Sequence, residues 1–293
     1  MRTPQPFQYQ GSKRALATTI LQYLPAKMAR LVEPFAGSAA ISTACAVGGR
    51  AGEFWINDFN KPLAELVALL INHPEDTCDA YREIWRDATG DPLEQFYSVR
   101  EQFNRTNDPG LLLYLLARCV KDSVRYNADG FFNQSPDKRR LGTQPPRMRQ
   151  NVLEFSRLLR GKSIVTSLDY RDVLENTHQG DVIYMDPPYQ GVCGVPDSRY
   201  FSGIAFDDFV TALDRLNSRG VRYVISYDGR LGDRSYGIPL PESLNLTLVE
   251  IEAGRSSQAT LSGRNDITFE SLYLAANLAK EVGTKANSIC QTT

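Results

Sequence analysis

The segment "GDVIYMDPPYQG", residues 180–191, sets a carboxylate, two prolines and an aromatic ring directly after an apolar run. Those residue types in that order suit one chemical task. The exocyclic amine of adenine or cytosine is a poor nucleophile because its lone pair is delocalised into the ring. Two acceptors placed against the amine draw its nitrogen towards tetrahedral geometry and release the lone pair. Asp186 offers one acceptor and the carbonyl of Pro187 offers the other. Pro187 and Pro188 hold both acceptors rigid, so little rearrangement is left for the transition state. Tyr189 adds an aromatic face on which a base extruded from a duplex can stack. The chemistry calls for no metal and no covalent enzyme intermediate.

Something must aim these groups. Val182, Ile183, Tyr184 and Met185 read as a short buried parallel strand, which the prolines terminate because they cannot extend a ladder. In open α/β sheets ligands bind beyond the carboxyl ends of strands, so Asp186 to Tyr189 are expected in the site. A second strand end points to the same place. "LVEPFAGSAA", residues 31–40, reads as a strand, a glycine turn and a helix that stops at Gly48 and Gly49. "EFWINDF" follows as a strand ending on Asp58, 21 positions after Gly37. A turn at Phe35 and Gly37 lets backbone approach a nucleoside cofactor, and an acidic residue at Asp58 accepts from ribose hydroxyls. The competing reading makes Asp58 a turn residue before "NKPLAEL". Taken with the amine chemistry, the pair implies S-adenosylmethionine as methyl donor.

Elsewhere, residues 14–24 have helical periodicity, and residues 61–122 read as mainly helical. Residues 129–150 are polar, basic and rich in breakers, an irregular loop of a length usually tied to function. Residues 151–160 read as a helix and "SIVTSLDY" as a returning strand. A helix at 207–218, the strand "VRYVISYD" and two strands in "LNLTLVEIEA" and "TFESLYLAAN" complete the pattern. The expected fold is α/β, a doubly wound sheet interrupted by a mainly helical, basic insertion. Its parts are a first cofactor-binding section at 1–75, an insertion at 76–160, a second section carrying the DPPY residues at 161–280, and a flexible tail at 281–293.

The chain has 293 residues with a net charge of −1, 42% hydrophobic and 23% charged, the composition of a globular protein. That charge is unevenly spread. Residues 118–162 hold eleven Lys and Arg against four Asp and Glu, +7, which leaves 22 basic and 30 acidic residues, −8, elsewhere. A basic segment on an acidic body is the footprint of a polyanion partner. The plainer reading is a solvated basic surface. Five scattered cysteines and two histidines form no metal or disulfide pattern, so no metal is expected. No run is long and apolar enough to span a membrane, and the N-terminus lacks a signal-peptide core. The cytoplasm is the expected compartment.

These motifs together resemble the DNA adenine methylase (Dam-like, D12-class) family, the alpha group of N6-adenine DNA methyltransferases. "YQGSK" matches the family's opening, with Tyr9 four positions before Lys13. "EPFAGSAA", Asp58 and "DPPY" follow in the family's order, and "ESLYLAAN" resembles its terminal strand. "RYNADGFFN", residues 125–133, matches the start of its DNA-recognition region. The resemblance implies a Rossmann-like methyltransferase sheet. It also implies cofactor contacts at Tyr9, Lys13, Phe35, Gly37, Asp58 and Asp186, and DNA contacts beginning at Arg125, Asn127 and Asn133. Phosphate contacts are expected from Lys138, Arg139 and Arg140, and base contacts from Arg147 or Arg149. Ala39 replaces the second glycine of the family turn. "NQSPDKRR" diverges after the shared Phe-Asn pair, so the family's target sequence does not transfer.

The expected activity is site-specific methylation of the N6 amine of a flipped adenine in double-stranded DNA, as an orphan methylase or beside a restriction endonuclease cutting the same site. Methylation of N4-cytosine or of an RNA base shares the chemistry. A different class, a catalytically silent DNA-binding protein, predicts no methyl transfer at all.

Overall fold

The apolar run before Asp186 is a strand buried along its whole length. In the computed structural model, which describes residues 3–87, 90–188, 204–231, 234–236, 238–255 and 267–283, it forms β4, Asp181–Met185. The other strands are β1 (Met28–Glu33), β2 (Ala51–Asn57), β3 (Ser163–Thr166), β5 (Arg222–Leu231), β6 (Arg234–Tyr236), β7 (Thr247–Arg255) and β8 (Ile267–Leu274). They lie in the order β3-β2-β1-β4-β5-β8-β7, with β6 paired to β5. Strands β1 to β5 run parallel, whereas β8 is antiparallel to both β5 and β7. This is the expected α/β sheet.

The order reverses between β1 and β4, which makes their carboxyl ends the natural crevice of the sheet. At the opposite end of the same pair, Arg30 donates from Nε and Nη2 to the two oxygens of Asp181, both at 2.8 Å. Asp181 is fully buried. A bidentate guanidinium–carboxylate pair fixes angle as well as distance, and it pins the strands whose far ends form the crevice.

Pro34 ends β1 because it has no N–H for the ladder, and α2 (Ala40–Val47) begins six residues later. After β2 comes α3 (Lys61–Asn72), capped by Asn60, whose side chain accepts from Leu63 N at 3.4 Å. Then α4 (Pro74–Asp87), α5 (Pro92–Thr106), α6 (Pro109–Arg118) and α7 (Pro145–Leu159) cover the stretch predicted as the insertion. The run Leu111 to Leu116 in α6 is buried on every side, as an all-apolar helix must be. Helix α7 packs against α2, α3 and α4, so the buried core passes without a break from the sheet into these helices. Helices α8 (Tyr170–Glu175), α9 (Phe206–Ser218) and α10 (Ala276–Glu281) flank the later strands.

Three expectations are corrected. Residues 14–24 do not form one helix. A 3-10 turn at Lys13–Ala15, α1 at Ala17–Ile20 and a second 3-10 turn at Leu21–Tyr23 replace it, and the run Thr18, Thr19, Ile20 is β-branched, which weakens helix propensity. The irregular loop ends at Gln144, because Pro145 and Pro146 occupy the first turn of α7, where no N–H is needed. Arg147 and Arg149 are therefore helical. The last predicted strand stops at Leu274, and Ala276 and Asn277 already belong to α10.

Candidate active site

A cavity of about 310 Å³ opens at the carboxyl ends of β1 and β4. Its wall brings together eight of the nine expected cofactor or catalytic residues, Tyr9, Lys13, Phe35, Gly37, Asp58, Asp186, Pro187 and Pro188. Tyr189 lies outside the described residues. Volumes of this size are those of small-molecule sites.

The turn after β1 is built to bring backbone to the cavity. Gly37 has φ +51, the left-handed region, and a Cβ there would lie 3.0 Å from the ring of Tyr9. Its N–H donates to Asp58 Oδ2 at 2.9 Å, while Asn60 N donates to Oδ1 at 2.9 Å. Asp58 thus ties the first turn to the second and is also partly exposed towards the cavity. Each carboxylate oxygen still has lone-pair capacity for a ribose diol. Burial raises the Asp58 carboxyl above its ordinary range, against the lowering effect of the Asn60 and Gly37 N–H groups. Behind it, Asn57 is fully buried and donates to Pro34 O at 2.9 Å and Leu168 O at 3.0 Å. The turn reading of Asp58 and the ligand reading are compatible in this geometry, and the cap of α3 is Asn60.

The N-terminal segment closes one side. Ser12 and Ser38 share a hydroxyl hydrogen bond of 2.9 Å, and Gln10 N donates to Asp122 O at 2.8 Å. Phe35 packs on Tyr170, ring centroids 5.4 Å apart, and Tyr170 in turn meets Phe209 of α9. The segment after α6 reaches the same cavity. Tyr126 and Val124 line it, and the Tyr126 hydroxyl donates to Asn60 Oδ1 at 3.3 Å.

Around Asp186 the charges are dense. Lys13 Nζ lies 3.2 Å from Asp186 Oδ1 and also pairs with Glu270 of β8. Glu33, the last residue of β1, is buried and accepts from Ser42 N at 2.7 Å. Burial pushes its carboxyl up to about 7, partly offset by the Ser42 hydrogen bonds. Glu33, Asn60, Tyr126, Tyr170 and Glu270 were not singled out from the sequence. For Glu270 a signal existed: it shares a strand face with Leu272 and Leu274, both fully buried, where a carboxylate is out of pattern. For Glu33 the signal was a carboxylate closing an apolar strand.

The DNA-side residues are spread out. Asn127 is exposed and its side-chain oxygen accepts from Asp129 N at 3.1 Å and Phe131 N at 2.8 Å, which shapes the turn. Asn133 is exposed, and its N–H donates to the carbonyl of Arg125 at 3.0 Å. Lys138, Arg139 and Arg140 are exposed, with Arg140 Nε donating to Asp137 Oδ2 at 2.7 Å. Arg147 is exposed on α7 and donates to Gln150 Oε1 at 3.0 Å. Arg149 pairs with Glu75 and lies 3.4 Å from Asp79, both on α4. Arg118 is buried and donates to Arg140 O at 2.7 Å and Pro92 O at 3.2 Å, holding the basic loop from below.

A mixed sheet thus sets a glycine turn, an acidic second strand end and an Asp-Pro-Pro strand end around one cavity at its switch point. The chain matches the D12 class N6 adenine-specific DNA methyltransferase family over residues 9–256, and it belongs to that family. It is 27% identical over 238 residues to the DNA N-6-adenine-methyltransferase of Escherichia phage P1, covering 76% of this chain and 29% of that protein. It is 28% identical over 183 residues to the DNA adenine methylase of Serratia marcescens, covering 61% of this chain and 64% of that one. A Type II methyltransferase of Lactococcus lactis subsp. cremoris is 27% identical over 285 residues, covering 90% and 93%. The chain thus spans less than two thirds of the first two relatives and nearly all of the third.

Proposed function

We propose that this chain methylates the N6 amine of an adenine in double-stranded DNA, with S-adenosylmethionine as donor. The observation that carries the reading is the convergence of Asp186, Asp58 and the Gly37 turn on one cavity at the β1–β4 switch point. The residues fit the donor. Asp58 would take the ribose hydroxyls, and the Gly37 turn and the rings of Tyr9 and Phe35 would bound the nucleoside, with Lys13 beside Asp186 on the same wall. S-adenosylmethionine supplies an electrophilic methyl carbon when bound.

The chain's own part is positional. Asp186 accepts a hydrogen bond from the target amine, and the Pro187 carbonyl accepts a second, which together localise the nitrogen lone pair. A base must leave the duplex to reach this cavity. Tyr189 supplies a stacking face, and the exposed basic residues after α6 hold the backbone. The amine sheds a proton after transfer, and Asp186 is the carboxylate at hand to take it. Family membership favours adenine over N4-cytosine and DNA over RNA. A restriction endonuclease sharing the target would be a natural partner.

The test uses the full chain with methyl-labelled S-adenosylmethionine and whole-genome-amplified DNA, which carries every sequence context without prior methylation. Digestion to nucleosides should return the label as N6-methyladenine. Label in N4-methylcytosine would move the substrate assignment, label only with RNA would replace it, and no label would leave a silent binding protein.

A further inference from the structure

We propose that Glu270 on β8 is a positioning residue for Asp186, acting through Lys13. The inference rests on the reading of Asp186 as the acceptor for the target amine. Lys13 Nζ bridges two carboxylates, Asp186 and Glu270, whose side chains are only 19% and 13% exposed. Ser226 of β5, fully buried, donates its hydroxyl to Glu270 Oε1 at 2.5 Å. The result is a chain of contacts, Ser226 to Glu270 to Lys13 to Asp186, that runs from the antiparallel side of the sheet to its switch point.

Among the described residues, apolar packing on this strand face gives no reason for a carboxylate. Leu272 and Leu274 continue the same strand face, and an ion pair in a part-buried setting loses much of its attraction to desolvation. A lysine stem has four flexible carbons, so its ammonium is well placed only when something holds it. Glu270, itself held by Ser226, performs that task. Lys13 in turn engages Oδ1 of Asp186 and fixes the rotation of its carboxylate, hence the direction in which the lone pairs meet the amine. Division of the lysine charge between two carboxylates also keeps Asp186 a strong acceptor. Among the described residues, the titratable groups gathered about Asp186 include Lys13 from the N-terminal segment, Glu33 from β1, the Tyr184 phenol from β4 and Glu270 from β8.

The experiment compares wild type with Glu270→Gln, Glu270→Asp, Ser226→Ala and Asp186→Asn. It measures single-turnover methyl transfer from labelled S-adenosylmethionine to amplified genomic DNA across pH, together with the cofactor KM. Glu270→Gln should slow transfer on the order of 10- to 100-fold, the scale of a misaligned reacting group, with the cofactor KM within about threefold. Its acid limb should move to lower pH, because Asp186 loses a negative neighbour and keeps Lys13 to itself. Glu270→Asp should recover part of the rate. Ser226→Ala, which loosens Glu270 without changing charge, should slow transfer less and leave the limb in place, and it keeps the proposal testable if Glu270→Gln does not fold. An unchanged rate and limb overturns the proposal, as does a raised KM with the rate intact. A rate loss equal at every pH with a matching fall in melting temperature also overturns it, as a purely structural effect. If Asp186→Asn itself turns over normally, the acceptor reading fails; if that variant is dead and Glu270→Gln is normal, only the role of Glu270 fails.

Discussion

The cavity at the switch point and the basic stretch after α6 are both polar, yet they are built in opposite ways. Around Asp58, Glu33 and Asp186 the protein already supplies partners: two backbone N–H groups on Asp58, the Ser42 N–H on Glu33, and Lys13 on Asp186. Along Lys138, Arg139 and Arg140 the side chains stand in solvent, and among the described residues only Arg140 has a carboxylate beside it. The first arrangement suits a reaction in which acceptors must not reorganise. The second suits a partner that brings its own negative charge and releases counterions on binding. On the proposed reading, rigidity lies where chemistry is done and exposure where the polymer is held.

The largest effect should come from the centre of the rigid region. Asp186→Ala removes a pre-aimed acceptor, and single-turnover methyl transfer should fall on the order of 100-fold or more, with DNA binding retained. A mutant that transfers methyl groups near the wild-type rate would show that the rigid cavity is not the catalytic one.

Rigidity around a buried carboxylate has a pH signature. Glu33 has its carboxyl pushed up from 4.5 to about 7 by burial. Between those values the folded chain holds more protons than the unfolded chain, so stability falls as pH rises through this window. The contribution is fully present below the unfolded value and is lost by the time pH passes the folded one, about 3 kcal/mol in size. Glu33→Gln keeps an acceptor for Ser42 N and cannot ionise. Urea unfolding at pH 5 and pH 8 should show the difference in wild type and a flatter profile in the variant. Parallel profiles would mean that Glu33 does not set the slope.

The contrast between regions also explains what could be read from the sequence. Strands and turns were legible because Val182 to Met185 are apolar and prolines close both β1 and β4. Asp58 and Asp186 were legible because each follows such a strand. Glu270 and Tyr126 were not, since their roles depend on β8 and on the segment after α6 folding back to a cavity made by other strands. Charge count overstated the basic surface. Arg118 is internal and Arg149 is matched by Glu75 and Asp79, facts of helix packing that residue counting does not reach. The prolines at 145 and 146 misled for a positional reason, being breakers inside a helix and starters in its first turn.

The exposed region is tested by neutralising Lys138, Arg139 and Arg140 together. Arg140 already has Asp137 as a partner, so two full phosphate contacts are the expected loss. The salt dependence of DNA binding should flatten by about 1.8, at ~0.9 per contact, and affinity near physiological salt should drop by roughly 2 kcal/mol on every sequence. Cofactor affinity should stay as it was. Binding titrations across a salt series decide it: an unchanged slope would make this stretch a solvated surface.

The smallest effect asks how finely the cavity is fitted, and two neighbouring left-handed residues give a matched comparison. Gly37 and Ala39 have φ of 51 and 52. At Gly37 an added Cβ meets left-handed strain of about 1–2 kcal/mol, and it also meets the Tyr9 ring at 3.0 Å, so Tyr9 must move. Gly37→Ala should therefore lower the melting temperature by a few degrees and weaken S-adenosylmethionine binding as well. Ala39 already bears its methyl group, fully buried. Ala39→Gly relieves about 1–2 kcal/mol of strain, loses ~0.8 kcal/mol of methyl burial and gives up about 0.5–1 kcal/mol to backbone entropy. Those terms nearly cancel, and its melting temperature should match wild type. Calorimetric melting and cofactor titration of both variants separate the two causes. If Gly37→Ala binds cofactor normally, Tyr9 is not held against the turn for the cofactor's sake, and the cavity is looser than its hydrogen bonds imply.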